Sequence, residues 1–297
     1  MNNSAEILNT NTASVRFRAF VMLLKPRLSM LVAFSSAFGY VLAVNGSVDW
    51  FILSMLSIGG FLVSGASVIF NQIIEKDLDA MMNRTKTRPL PLGIISSNEA
   101  LFFGLIVGIA GLVMLYIYTN PLTVLLSFVS MLLYSFVYTP LKRVGPIAVF
   151  VGAIPGALPP LIGWVAYSGD ITFEALVIFG IQFIWQFPHF WAIAWVADDD
   201  YKRAGFKLLP NGGRKDFNSA VQIMTYTLFL LPLSLLPAKF GITGIDSAIV
   251  AIVCGVLFLA QTFKLMIDTS RKSALKIMFG SFIYLPVVQI AFMLDKV

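Results

Sequence analysis

Asn71, Glu75 and Asp79 stand four residues apart in "NQIIEKDLDAMMNRTKTRPLP", residues 71–91. On an α-helix each step of four turns about 400°, so the three side chains fan over about 80° of one face and about 12 Å of its length. Such a stripe of oxygen-bearing side chains packs poorly but makes a good partial shell for a hard divalent cation. Mg²⁺ takes oxygen ligands, keeps several waters and is commonly shared with substrate phosphates. Asp77 points away from Glu75, toward the loop or a different ligand. The rest of the stretch is cationic: Arg84 and Arg88 suit forked contacts with phosphate oxygens, and Lys86 a point charge. A second acidic run, Asp198, Asp199 and Asp200, lies in "ADDDYKRAGFK". Three consecutive acids cannot share one helical face, so Asp200 is the preferred ligand, with Asp199 behind it. The competing reading of both loops is solvated charge at a membrane interface, which "RTKTR" by itself also fits.

The elements that must carry these residues are apolar. The chain is 58% hydrophobic and 12% charged, with a mean hydropathy of +0.85, too apolar for a soluble globule of 297 residues. Apolar segments of the length that crosses a bilayer, about 20 residues, run over roughly 28–46, 51–74, 99–118, 121–139, 145–167, 171–196, 218–237, 246–266 and 275–294. We read an all-α fold, a multi-pass membrane bundle of nine transmembrane helices. A polar N-terminal tail over residues 1–22 precedes a single intramembrane domain over 23–297. The tail lacks the apolar core of a cleavable signal and carries Glu6. Ser96 and Glu99 have capping-box spacing and mark a helix start. With the N-terminus inside, every Lys and Arg falls on the inner side except Lys239 and Lys296. That segregation orients the protein and puts both acidic runs on the cytoplasmic face, the membrane being the inner membrane of a bacterium. The basic residues sit in short loops, so the lipid bilayer is the expected partner and nucleic acid is not. The lone Cys254, in an apolar run, excludes disulfides within the chain.

A metal shell and cations at the end of an apolar bundle suit the departure of diphosphate from an allylic prenyl group. Metal ions and Arg or Lys stabilise the leaving anion. The apolar interior shelters the allylic cation from water and houses its hydrocarbon tail.

Residues 71–91 resemble the first aspartate-rich motif of the UbiA-type intramembrane prenyltransferases. "LLKPRLSMLV" (23–32), "YTPLKR" (138–143), "GALPPLIGW" (156–164) and "QFPHFWAIAW" through "DDDYKRAGFKLLP" (186–210) stand in that family's order over nearly the whole chain. "FPHFWA" and "GALPPLIGW" are similar to its haem-farnesylating branch. The resemblance implies a nine-span fold and transfer of a farnesyl group from farnesyl diphosphate to a vinyl group of haem b, with addition of water, giving haem o and diphosphate. It implies Mg²⁺ as the cofactor and haem b as a substrate, with a haem A synthase or a terminal oxidase assembly as downstream partners. Metal binding carries over onto Asn71, Glu75, Asp79 and Asp200. Glu75 stands where the family usually has Asp, and Val196 stands four residues before Asp200 where a plain DxxxD would have an acid.

His189 is the only histidine. Either it is a satisfied core residue or it orients the haem, by its iron or a propionate. Arg27, Lys86, Lys142, Arg143, Lys202 and Lys207 are candidates for haem propionates or diphosphate, or else interface anchors. Trp185, Trp191, Trp195 and Phe190 suit a porphyrin-sized slot or ordinary packing. Pro155, Pro159 and Pro160, with Gly152, Gly156 and Gly163, are expected to kink the fifth span; close helix packing is the alternative. Two other functions fit less of the pattern. A prenyltransferase acting on a quinone precursor differs in product, and a transporter wants acids near the midplane of several spans, where spans 1, 3, 4, 5, 7, 8 and 9 have almost none.

Overall fold

A computed structural model describes residues 13–297, and nine of the helices in it are long and apolar enough to cross a membrane. In chain order the helices are α1 (Ala13–Leu23), α2 (Pro26–Ala43), α3 (Trp50–Ile74), α4 (Lys76–Met81), α5 (Ser97–Tyr118), α6 (Pro121–Leu132), α7 (Ile147–Ser168), α8 (Phe173–Val196), α9 (Asp198–Arg203), α10 (Phe217–Ser234), α11 (Leu236–Lys239), α12 (Ile245–Asp268) and α13 (Arg271–Leu294). The protein is a multi-pass membrane bundle, and the expected spans and the observed ones coincide to within a few residues. Large apolar side chains such as Phe102, Ile109, Leu257 and Ile283 face outward, where lipid replaces water as the surrounding solvent.

Part of the expected N-terminal tail is helical. Residues 1–12 lie outside the described residues, but 13–22 form most of α1. Ala19 and Leu23, four apart on one helical face, are buried with Ile69, Leu90, Ile95 and Ala100, and Phe20 meets Phe103 edge-on at 5.1 Å. Arg16 pairs with Glu99, whose carboxylate also closes the capping box: Ser96 N donates to Glu99 Oε2 (2.9 Å) and Glu99 N to Ser96 Oγ (3.2 Å).

The bundle has two halves, α2, α3, α5, α6 and α7 in one and α8, α10, α12 and α13 in the other. α7 packs on α2, α6 and α8, and α13 closes the ring against α2 and α8. Helices in lipid gain nothing from excluding water, so contact must come from shape and polar bonds. At the α2–α7 crossing the shape is set by two glycines. A Cβ on Gly39 would lie 1.9 Å from the Pro160 carbonyl oxygen, and one on Gly163 would lie 1.8 Å from that of Ser36. A polar triad joins three helices: Ser35 Oγ donates to Gln182 Oε1 (2.9 Å), and Gln289 Nε2 donates to both Gln182 Oε1 (2.9 Å) and Ser35 Oγ (3.1 Å).

α7, the span expected to kink at its prolines, runs as one α-helix with Pro155, Pro159 and Pro160 inside it. A proline lacks the N–H that would bond the carbonyl four residues back. Pro159 therefore frees the Pro155 carbonyl, which accepts from Ser130 Oγ of α6 (3.3 Å), and Pro160 frees that of Gly156, which accepts from Gln182 Nε2 of α8 (2.8 Å). Neighbouring helices thus supply the missing donors, as apolar surroundings require. The small residues serve close packing.

Substituting Gly163→Ala is expected to lower stability by about 1–3 kcal/mol, the cost of overpacking a filled site. Gly180→Ala, where a Cβ meets nothing within 4 Å, is the matched control and leaves stability unchanged or slightly raised. Thermal unfolding of the two variants in detergent checks this.

Candidate active site

The oxygen stripe forms where α3 ends. Glu75 is the joint between α3 and α4, and the i→i+4 ladder runs through it: Glu75 N donates to Asn71 O (3.0 Å) and Asp79 N to Glu75 O (2.7 Å). The stripe therefore survives the joint, with Asn71, Glu75 and Asp79 only 2%, 4% and 1% exposed, whereas Asp77 faces out as expected. Asn71 Nδ2 donates to Thr139 Oγ1 (2.9 Å), which turns its carbonyl oxygen the other way. Lys142 Nζ lies 2.9 Å from Glu75 Oε1 and donates to Oε2 at 3.2 Å. Arg88 Nη1 donates to Asp79 Oδ2 at 2.6 Å.

These partners arrive by two routes. α6 passes into a π-helical segment, Leu133–Tyr138, and a last turn, Thr139–Leu141, which carries Thr139 and then Lys142 to the end of α3. π-Segments of this kind recur at functional sites because they re-aim side chains. Arg88 arrives in the loop after α4, whose turn at Thr85 is fixed by Thr85 Oγ1 donating to Asp79 O (2.8 Å).

Lys25 is the site residue that sequence reasoning missed. It caps α2 at φ 43°, ψ 66°, the left-handed region that a non-glycine residue rarely occupies. The half-buried ammonium feels four charges of this cluster, the cations Arg88 and Lys142 and the carboxylates Asp79 and Glu75. Burial first, then the two cations, lower its pKa to about 7. Arg27, chosen instead, is exposed on the first turn of α2. The signal available was Pro26: the helix starts there, so the residue before it sits at the turn into the bundle. Arg88 and Lys142 are balanced by Asp79 and Glu75, and an anion brought beside Lys25 would favour its charged form.

The second acidic run meets the first, but not as a facing carboxylate shell. Asp199 is exposed. Asp200 Oδ1 accepts from the Asn83 N–H (3.0 Å) and Oδ2 from the Arg84 N–H (3.2 Å), while Arg203 Nη1 donates to Oδ1 (2.7 Å). The buried member is Asp198, paired with Lys202 (2.8 Å) and Lys215 (3.1 Å). Its position was readable: it continues the buried stripe of Trp191 and Trp195 along α8. Among the other cationic candidates, Arg143 and Lys207 are exposed and Lys86 donates to Asn83 Oδ1 (3.0 Å). Arg84 is exposed and sits 5.9 Å over the Tyr201 ring.

His189 faces α13. Its ring stacks on Trp185 at 4.4 Å, and Nδ1 lies 2.8 Å from Ser281 Oγ. Ser281 spends its one hydroxyl proton on Met278 O (2.7 Å), so His189 Nδ1 is the donor and Nε2 keeps its lone pair. The expected aromatic slot is divided between two faces of α8. Trp191, about 240° round from Trp185, looks instead into a crevice of about 420 Å³ between α7, α8 and α10, beside Phe150, Phe187 and Tyr226. Trp195 is fully buried at the end of the helix.

The donor set fits a divalent cation. Asp79 Oδ1 is a buried oxygen without a hydrogen-bond donor, both Glu75 oxygens meet only the Lys142 ammonium, and the Asn71 carbonyl oxygen is left over by the bond to Thr139. Among the described residues no three His, Cys, Asp or Glu side chains converge, so this set is two carboxylates and an amide.

Known proteins are similar to this chain over nearly its whole length. Residues 32–285 match the UbiA prenyltransferase family. The chain is 54% identical to a protoheme IX farnesyltransferase of Cytophaga hutchinsonii, over 95% of this chain and 99% of that one. It is 45% identical to another from Flavobacterium psychrophilum, over 94% and 95%. Among solved structures, a digeranylgeranylglyceryl phosphate synthase superposes with a TM-score of 0.78 at 22% identity, over 94% of this chain and 98% of that one. A UbiA homolog from Archaeoglobus fulgidus bound to GPP and Mg²⁺ superposes with a TM-score of 0.64 at 14% identity, over 92% and 99%. The chain, a helical membrane bundle with Glu75 and Asp79 buried at the end of its second span, belongs to the UbiA prenyltransferase family.

Proposed function

We propose that this protein transfers a farnesyl group from farnesyl diphosphate to a vinyl group of protohaem IX (haem b), giving haem o and diphosphate. The observation that carries the reading is the buried cluster of Glu75, Asp79, Lys142 and Arg88 at the mouth of an apolar bundle. The farnesyltransferase relatives, similar over nearly their whole length, support the choice of acceptor. The active-site loops and the N-terminus are assigned to the cytoplasmic side of a bacterial inner membrane, following the segregation of Lys and Arg. Delivery of the product to a haem A synthase or a terminal oxidase assembly is an extension of the same reading.

Asn71, Glu75 and Asp79 would hold the Mg²⁺, which neutralises the leaving diphosphate when bound. Lys142 and Arg88 already stand on these carboxylates and swing between them and the phosphate oxygens; Lys25 adds a third cation. The allylic C–O bond breaks and the diphosphate leaves with its electron pair. The vinyl π pair then attacks the farnesyl carbon. Water takes up the cation left beside the porphyrin ring and loses a proton, which leaves a hydroxyl. The apolar bundle keeps water from the allylic cation until that bond has formed. His189, with Nε2 free and Nδ1 held by Ser281, is suited to orient the haem through its iron.

Three outcomes test this. Purified protein given haem b, farnesyl diphosphate and Mg²⁺ should yield haem carrying an added farnesyl and hydroxyl by mass, and EDTA should abolish the product. Prenylation of an aromatic quinone precursor but not of haem refutes the acceptor. Lys25→Met should raise the KM for farnesyl diphosphate about tenfold, the worth of one charge-assisted bond, while leaving the KM for haem nearly unchanged. His189→Ala should lose the Soret shift on haem binding and most of its turnover; wild-type haem binding in that variant removes His189 from the site.

A further inference from the structure

Asp200 differs from Glu75 and Asp79 in how its oxygens are used. Glu75 and Asp79 meet only the ends of long cationic side chains, Lys142 and Arg88, and Asp79 Oδ1 has no donor at all; both oxygens of Asp200 are engaged by backbone N–H groups. The donors are the backbone N–H groups of Asn83 and Arg84, just past α4. They open a run of turns in which Thr85 N and Lys86 N bond back to Met82 O (3.1 and 2.9 Å). First N–H groups of a helical turn have no partner within it, and a carboxylate is their best cap. Here the cap comes from the other half of the bundle, 117 residues away. Tyr201, next in the chain, lies under the Arg84 guanidinium at 5.9 Å, and Asp198 anchors the same short helix through Lys215.

We propose that Asp200 is a positioning residue, a clasp that holds the cationic loop Asn83–Arg88 over the diphosphate site, and not a ligand of the metal. This rests on the metal and diphosphate reading above, with the metal held by Asn71, Glu75 and Asp79 alone. The clasp ties the inner end of α8 to that of α3, so the loop carrying Arg84, Lys86 and Arg88 is shaped before substrate arrives. It also accounts for the missing acid at Val196: a clasp needs one carboxylate, whereas a second metal shell needs a pair.

Amide hydrogen exchange on the full-length protein in nanodiscs, without metal or substrate, reads the clasp directly. Asp200→Ala should speed exchange at Asn83 and Arg84 about tenfold or more, as loss of a charge-assisted hydrogen bond implies, with Asp200→Asn between it and wild type. The KM for farnesyl diphosphate should rise in both, and half-saturation by Mg²⁺ should stay within about twofold, whereas Asp79→Asn should shift it about tenfold or more. Tyr201→Leu, which leaves every carboxylate in place, should loosen the same amides and serves if Asp200→Ala is not recovered. A tenfold shift in the Mg²⁺ dependence of either Asp200 variant, or unchanged exchange at Asn83 and Arg84, overturns the proposal. Absence of farnesylated haem from the wild type refutes the function instead and leaves the exchange result standing.

Discussion

Two carboxylates held out of water beside an apolar bundle set the terms for everything near them. A buried charge without a partner costs several kcal/mol, and a paired one is tolerated only when its geometry is good. Glu75 and Asp79 are tolerated because Lys142 and Arg88 reach them, from opposite sides and from different parts of the chain. The π-segment of the fourth span, the turns after α4 and the left-handed kink at Lys25 are the means by which the chain brings those cations in. Each is a departure from regular structure, and all three lie at the same end of the bundle.

The rest of the bundle must then hold that end still without help from a hydrophobic driving force. Contact between glycines and carbonyls on α2 and α7, and the Ser35–Gln182–Gln289 triad, do this near the centre, where no water competes for the bonds. The end of the bundle opposite the charged cluster is closed in a similar way. Lys296 Nζ donates to the Val41 and Val44 carbonyls at the C-terminus of α2, a favourable place for a cation. So Lys296, one of the two lysines that depart from the expected segregation of charge, is a helix cap.

Most of the fold was legible because it is written in long apolar runs, and a run of about 20 such residues has one stable form in lipid. The oxygen stripe was legible for a similar reason, since spacing of four on a helix is unambiguous. What could not be read was whatever depended on which helix lies next to which. Lys25 and Arg27 look alike two residues apart, and only the kink at Pro26 separates the buried one from the exposed one. The burial of Asp198, which its neighbours in sequence do not mark out, has the same cause: burial followed the turn of α8, and the donors to Asp200 came from a distant loop. The aromatic slot failed on simple geometry, since Trp185 and Trp191 face different neighbours.

The prolines of α7 have a consequence for how the family can drift. The Gly156 carbonyl, freed by Pro160, is held by Gln182 on α8, and the Pro155 carbonyl, freed by Pro159, by Ser130 on α6. Changing Gln182 alone strands a carbonyl in hydrocarbon, whereas changing Pro160 alone restores a backbone N–H that the same carbonyl, with two lone pairs, accepts beside the amide. The proline can therefore be lost before its donor, but not the donor before the proline, so the two changes have a preferred order. A helix that supplies no ligand to the diphosphate is thereby tied to what its neighbours carry.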